Sequence, residues 1–220
     1  KQSVTFELSA AVSGGAFEGS VVVADSNDTL TLKNTVNMTG QSITGEGKIA
    51  LDANAVLVRG TINTKDFVIE ITSTNVTLDG ITLNTDAALT FTDENEAKVL
   101  NLASKLEVVS GSTLTINAAD DDSAAVAYSI VGQGSNPVEI GSDASAYSIV
   151  VTQNSGNNVE SDELTFSNVA FGNQADLTME SAFLTDSVVG VTSFIIDSAA
   201  TYENVTFEGA VVVTTGATSE

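Results

Sequence analysis

The chain has 220 residues, 42% of them hydrophobic, and sets 29 acidic residues against 7 basic ones for a formal net charge of −22. That balance leaves no basic face for DNA or RNA and opposes contact with an anionic membrane surface. With no Cys and no His, disulfides, thiol chemistry and Cys/His zinc sites are excluded, and no apolar run reaches the roughly 18 residues of a transmembrane helix.

Val, Ile, Leu and Thr dominate, a composition suited to strands. The chain begins at Lys1 rather than Met, which reads as a secreted, cell-surface chain whose signal peptide has been removed. Val4 to Ala10 alternates apolar and polar residues until Ser13-Gly14-Gly15 breaks the pattern, and Val21-Val22-Val23 follows. These strands either cap the first coil or add to a neighbouring subunit. Further alternating runs are Leu30–Leu32, Ile49–Leu51, Val56–Val58, Phe67–Ile71, Val76–Leu83 and Leu89–Phe91. Asp93 to Lys98 is acidic and poor in strand formers, and reads as a loop or one helical turn. Strand patterns resume at Val99–Leu102, Leu106–Val109, Leu114–Ile116, Ala127–Val131, Ala146–Val150, Leu164–Phe171, Phe194–Ile196, Thr201–Phe207 and Val211–Val213.

Two regularities organise these runs. Ala127-Tyr128-Ser129-Ile130-Val131 recurs 19 residues on as Ala146-Tyr147-Ser148-Ile149-Val150, and bulky residues continue the series at Phe166, Leu184 and Tyr202. A period near 20 residues is the mark of a solenoid, and it predicts that these side chains stack in one line. In addition, Val76–Leu83, Leu164–Phe171 and Ala200–Phe207 share the order apolar, Thr, apolar, polar, Gly or Asn, apolar, x, apolar, with a looser copy from Leu30 to Met38. Each copy reads as two short strands joined at Gly80, Asn168, Asn204 or Asn34, residues that tolerate a left-handed bend. Thr31, Thr77, Thr165 and Thr201 occupy its outward position.

The expected fold is all-β: a right-handed parallel β-helix with coils of about 18–25 residues, the alternative being a β-sandwich. The expected organisation is a single solenoid domain over 1–220, with N-terminal strands in 1–29, coils in 30–213 and a tail in 214–220.

Gly40-Gln41-Ser42-Ile43-Thr44-Gly45-Glu46-Gly47, followed by Asn75-Val76-Thr77-Leu78-Asp79-Gly80-Ile81-Thr82-Leu83, resembles the first coils of pectin-lyase-like right-handed β-helices. The resemblance covers roughly residues 30 to 90 and implies the fold. Enzymes of that family use clustered aspartates, or carboxylate-bound calcium with a basic residue. Here Arg59 is the only arginine, the lysines are scattered, and Asp93-Glu94, Asp120-Asp121-Asp122 and Asp162-Glu163 fall in turns between strands. No catalytic residue is assigned. Calcium is the one cofactor left open, with Asp120, Asp121 and Asp122 as candidate oxygen ligands. Four Asn-x-Thr sequons, at Asn27, Asn37, Asn75 and Asn204, are candidate glycan acceptors.

The expected function is structural: a subunit of an extracellular filament, sheath or layer that assembles with itself through strand edges, with Val4, Phe6, Leu8, Val211 and Val213 as assembly residues. The alternatives are a monomeric adhesin or carbohydrate-binding fragment whose partner is surface polysaccharide, and an inactive relative of polysaccharide lyases. Nucleic acid and membrane insertion are not expected.

Overall fold

The computed structural model describes residues 3–7, 20–63, 67–72, 75–84, 86–92, 97–109, 111–118, 127–142, 146–153, 163–172, 174–179, 182–191, 193–196, 201–208 and 212–215. All 23 strands among them belong to one curled sheet, and every pairing is parallel. The β-sandwich alternative, which needs antiparallel neighbours, is thereby excluded.

The strands fall into three lanes that the chain visits in fixed order. The first lane holds Ser3–Glu7, 29–33, 48–52, Phe67–Ile71, Ala87–Phe91, Thr113–Ala118, Tyr147–Gln153, Ala175–Met179, Ser193–Ile196 and Val212–Thr215. The second holds 35–37, 56–58, 75–79, Lys98–Leu102, Ala127–Gly132, Glu163–Ser167, Ala182–Thr185 and Thr201–Glu203. The third holds Val21–Val23, Ser42–Gly45, 60–63, 81–83, Leu106–Val108, Val138–Gly141, Val169–Phe171, Val188–Val189 and Thr206–Phe207. Each circuit adds one rung to each lane, an arrangement compatible with a β-solenoid.

Alternation decides which residues are buried. In the second lane Leu100, Ile130, Phe166 and Leu184 stand in register and are buried. In the third, Ile140, Phe171 and Val189 do the same, and in the first Leu89, Ile116, Val151 and Met179. Burying each such side chain contributes about 1.5–3 kcal/mol. Phe166 and Phe171 also meet edge to face, centroids 5.5 Å apart.

The corners are turned by residues in the left-handed region. Asn34 (φ 57°) and Asn54 (φ 60°) lie between the first and second lanes. Arg59 (φ 42°), Gly80 (φ 68°), Asn168 (φ 53°), Asp186 (φ 49°) and Asn204 (φ 53°) lie between the second and third. The bends expected at Asn34, Gly80, Asn168 and Asn204 are all present, but the motif serves two corners: Asn34 turns the first, the other three the second. Its threonines therefore do not form one row, although Thr165 and Thr201 share one through Phe183. Thr31 is in the first lane, while Thr77 pairs with Val56 and Asn101, and Thr165 with Ser129 and Phe183.

The 19-residue repeat also has a different meaning. Tyr128 pairs with Lys98 and Leu164, whereas Tyr147 pairs with Ala175. The two tyrosines occupy the second and first lanes of one long circuit and do not stack. The register here is wider than the expected 18–25 residues: Ala127 pairs with Glu163, 36 positions on. It narrows again so that Phe166, Leu184 and Tyr202 form a true column at intervals of 18. Lys98, expected in a loop, is a buried strand residue; its ammonium donates to the Thr72 carbonyl at 3.2 Å while its aliphatic stem is compatible with the core.

Acidic residues are distributed so that none pairs with another in the described ladders. Asp52 stands on Lys33, with the ion pair at 3.0 Å; Asp176 stands between Ser148 and Ser193, and Glu70 between Ala50 and Thr90. Like charges on adjacent strands destabilise a sheet, and this placement avoids them.

Truncating Phe166→Ala opens a cavity between two filled rungs and is expected to lower unfolding stability by about 3–5 kcal/mol in urea titration. Arg59 is exposed and holds a left-handed φ, where Cβ crowds the backbone carbonyl and Asn is tolerated better than Arg. Arg59→Asn is expected to raise the same stability by roughly 0.5–1 kcal/mol.

Candidate functional site

The features that stand out chemically are the two ends of the sheet and the turns between lanes. At the C-terminal end the last described rungs are Thr201–Glu203, Thr206–Phe207 and Val212–Thr215, each paired on one side only among the described strands. Phe207 continues the column of Ile140, Phe171 and Val189, yet it is 45% exposed. Tyr202 continues the column of Phe166 and Leu184 and is half-buried. With Phe194 these two rings form a cluster with centroid separations of 6.1 to 6.5 Å. Among the described residues, the Tyr202 hydroxyl is the one buried side-chain polar atom without a hydrogen-bond partner.

At the N-terminal end, Ser3–Glu7 pairs with 29–33 and Val21–Val23 pairs with Ser42–Gly45. The expected assembly residues Val4 and Phe6 stand in register with the buried Leu30 and Leu32. Val213 likewise stands in register with buried Phe194. Leu8 and Val211 lie outside the described residues. Val22 is 64% exposed and registers with Thr44 in an outward row.

The candidate calcium ligands Asp120, Asp121 and Asp122 lie outside the described residues, in the connection 119–126 from the first lane to the second. Among the described residues no three Asp or Glu gather to hold a metal ion.

All four sequon asparagines are described and exposed, but their amides differ. Asn27 Nδ2 and its backbone N–H both donate to Asp25 Oδ1 at 2.9 Å. Those two bonds, the backbone one first, hold the Asp25 carboxyl below its ordinary value. Asn37 Oδ1 accepts from the Thr39 N–H at 3.0 Å and hydroxyl at 2.7 Å. Asn75 Oδ1 accepts from Asn101 Nδ2. Asn204 Nδ2 donates to Asp186 Oδ1 at 2.5 Å, tying one left-handed corner to the next. Asn168 ties the same corner differently, donating to the Gly132 carbonyl at 2.8 Å and the Gly134 carbonyl at 3.2 Å.

The sequence pattern marks the corners and the sequons. It does not mark the aromatic end, because the column through Phe207 becomes visible only once the circuit lengths are known. Its one available signal is the succession of Phe194, Tyr202 and Phe207 on three consecutive strands.

Burial raises the Tyr202 pKa above its ordinary 10.0 by disfavouring the charged phenolate. The folded chain then keeps this proton to higher pH than the unfolded chain, so the corresponding stability is present in full below pH 10.0 and is lost as pH rises through the folded value. Tyr202→Phe removes an unpaired hydroxyl and is expected to leave neutral-pH stability unchanged or raise it by up to about 1 kcal/mol. In thermal melts across alkaline pH, this variant should lose less stability than the parent.

No family model matches this chain, and neither the curated proteins nor the solved structures contain a match to it.

Proposed function

We propose that the chain is a right-handed parallel β-helix acting as a structural subunit of an extracellular filament, sheath or layer, with a second copy of itself as its partner. The observation that carries this reading is the last described rungs, where an inward column ends on a half-exposed Phe207 beside a Tyr202 hydroxyl that has no hydrogen-bond partner among the described residues. One more rung would cover the ring and supply a backbone partner for the hydroxyl. The first rungs of a second copy offer strands of the same direction in the first and third lanes. Right-handedness follows from the strong preference of parallel crossovers for that hand. The pectin-lyase-like character of the coils rests on residues 40–47 and on Asn75–Leu83, a single strand that bends at Gly80.

Joining end to end by translation brings unlike surfaces together. Such a heterologous contact does not close on itself and grows into open filaments. The net charge of −22 opposes the approach, and salt screens it beyond about 8–10 Å. The reading assigns no catalytic step and no nucleic-acid partner; the absence of His and the single arginine support it.

Sedimentation velocity at low and high ionic strength tests the proposal. The full chain should form larger species as salt or calcium is added. Phe207→Asp, which places a charge on the exposed end, and a variant lacking residues 1–12 should both remain small. A full chain that stays monomeric in every condition overturns the filament.

A further inference from the structure

We infer that Asn27 is an N-glycan acceptor in the folded protein, selected from the four sequons by what lies between each Asn and its Thr. In three of them the middle residue is apolar and engaged in the core: Met38 and Val76 are each 1% exposed, and Val205 packs against the core cluster. Drawing those segments into the cleft of a transferase means lifting a core side chain into water. Asn75 and Asn204 are further tied to neighbouring rungs, through Asn101 Nδ2 and Asp186 Oδ1.

Asn27 has neither restraint: its amide bond is local, to Asp25 two residues before it. Its middle residue is Asp28, a polar residue outside the core cluster, and Ala24, Asp25, Ser26 and Asn27 form a fully exposed turn between Val21–Val23 and Thr29–Asn37. Thr29 is the first residue of its strand, so release of the sequon frays a strand end and breaks no strand interior. The turn is nonetheless ordered: Asp28 N–H donates to the Asp25 carbonyl at 2.8 Å, and Lys48 N–H to the Asp28 carbonyl at 2.9 Å. Asp25, two residues before the acceptor, already takes a hydrogen bond from the acceptor nitrogen. A carboxylate in that place polarises the amide N–H bond and orients the nitrogen.

The donor class is a lipid-linked glycosyl diphosphate. Asn27 Nδ2 attacks the anomeric carbon and a C–N bond forms. The C–O bond to the diphosphate breaks with its electron pair leaving on the phosphate oxygen, and the amide proton passes to a base of the transferase. This inference does not rest on self-assembly, and its readout is independent of sedimentation.

The test incubates the folded, full-length protein with a single-subunit oligosaccharyl transferase and a lipid-diphosphate glycan donor. Mass spectrometry of tryptic peptides then reads each sequon, because Lys33, Lys48 and Lys65, with Lys98 and Lys105, separate all four. Occupancy at Asn27 should exceed that at each other sequon at least about tenfold, the ratio set by keeping one apolar side chain in the core. Asn27→Gln should remove the signal, and a chain digested before the reaction should lose the preference. Absence of transfer to Asn27 in the folded chain, comparable occupancy elsewhere, or an undiminished preference in the digest overturns the inference.

Discussion

A rung of parallel strand is satisfied only by another rung. Its N–H and C=O groups point along the stacking direction, and each must find a partner there or remain exposed. Much of what the structure shows follows from that requirement. The three lanes keep one strand direction and one order. The side chains of each rung stand on those of the rung before, so a burial pattern established once is inherited along the lane. The corners must redirect the chain without lifting it off its rung, which is why left-handed Asn, Gly and Asp recur there. Among the described strands the requirement goes unmet at the last rungs, Thr201–Glu203, Thr206–Phe207 and Val212–Thr215.

The same stacking constrains charge. Adjacent rungs bring equivalent side chains to about 4.8 Å, a distance at which two carboxylates repel even in water. A chain with 29 acidic residues folds this way because its described ladders never set one acid on another. Acids pair with Ser, Thr, Ala, Val, Gly or Lys in those ladders. Neutral polar residues do the connecting: Thr152 donates to Asn117 and Asn101 to Asn75, each across one rung step. The acidity of the molecule is thus compatible with its stacking because of the order of residues, a property that composition does not reveal.

Much of the fold was legible in the sequence because strand alternation and left-handed bends are local. Leu164–Phe171 announces two strands and a corner at Asn168 from eight letters, and the structure has them there. Lane membership is not local. The Tyr128 and Tyr147 segments carry the same five letters because both need apolar residues at every second inward position, in whichever lane they lie. Only the long connections beyond Ala118 and Gln153 decide that they do not meet. Lys98 was illegible for another reason: a lysine reads as a solvent residue until a carbonyl, here that of Thr72, is found within its reach. At the candidate sites, the sequons were legible as motifs. Their differences were not, because they depend on whether Met38, Val76 or Val205 faces the core.

The unequal circuits have a consequence for the molecule's shape. Asp176 reaches its partner Ser193 in 17 positions, while Ala127 needs 36 to reach Glu163, yet both advance the ladder by one rung. Height along the stack is therefore counted in rungs and is independent of contour length. Extra residues between the first and second lanes leave the number of rungs, and with it the height of the stack, unchanged. Chains that differ by dozens of residues in those connections have the same height if they have the same number of rungs.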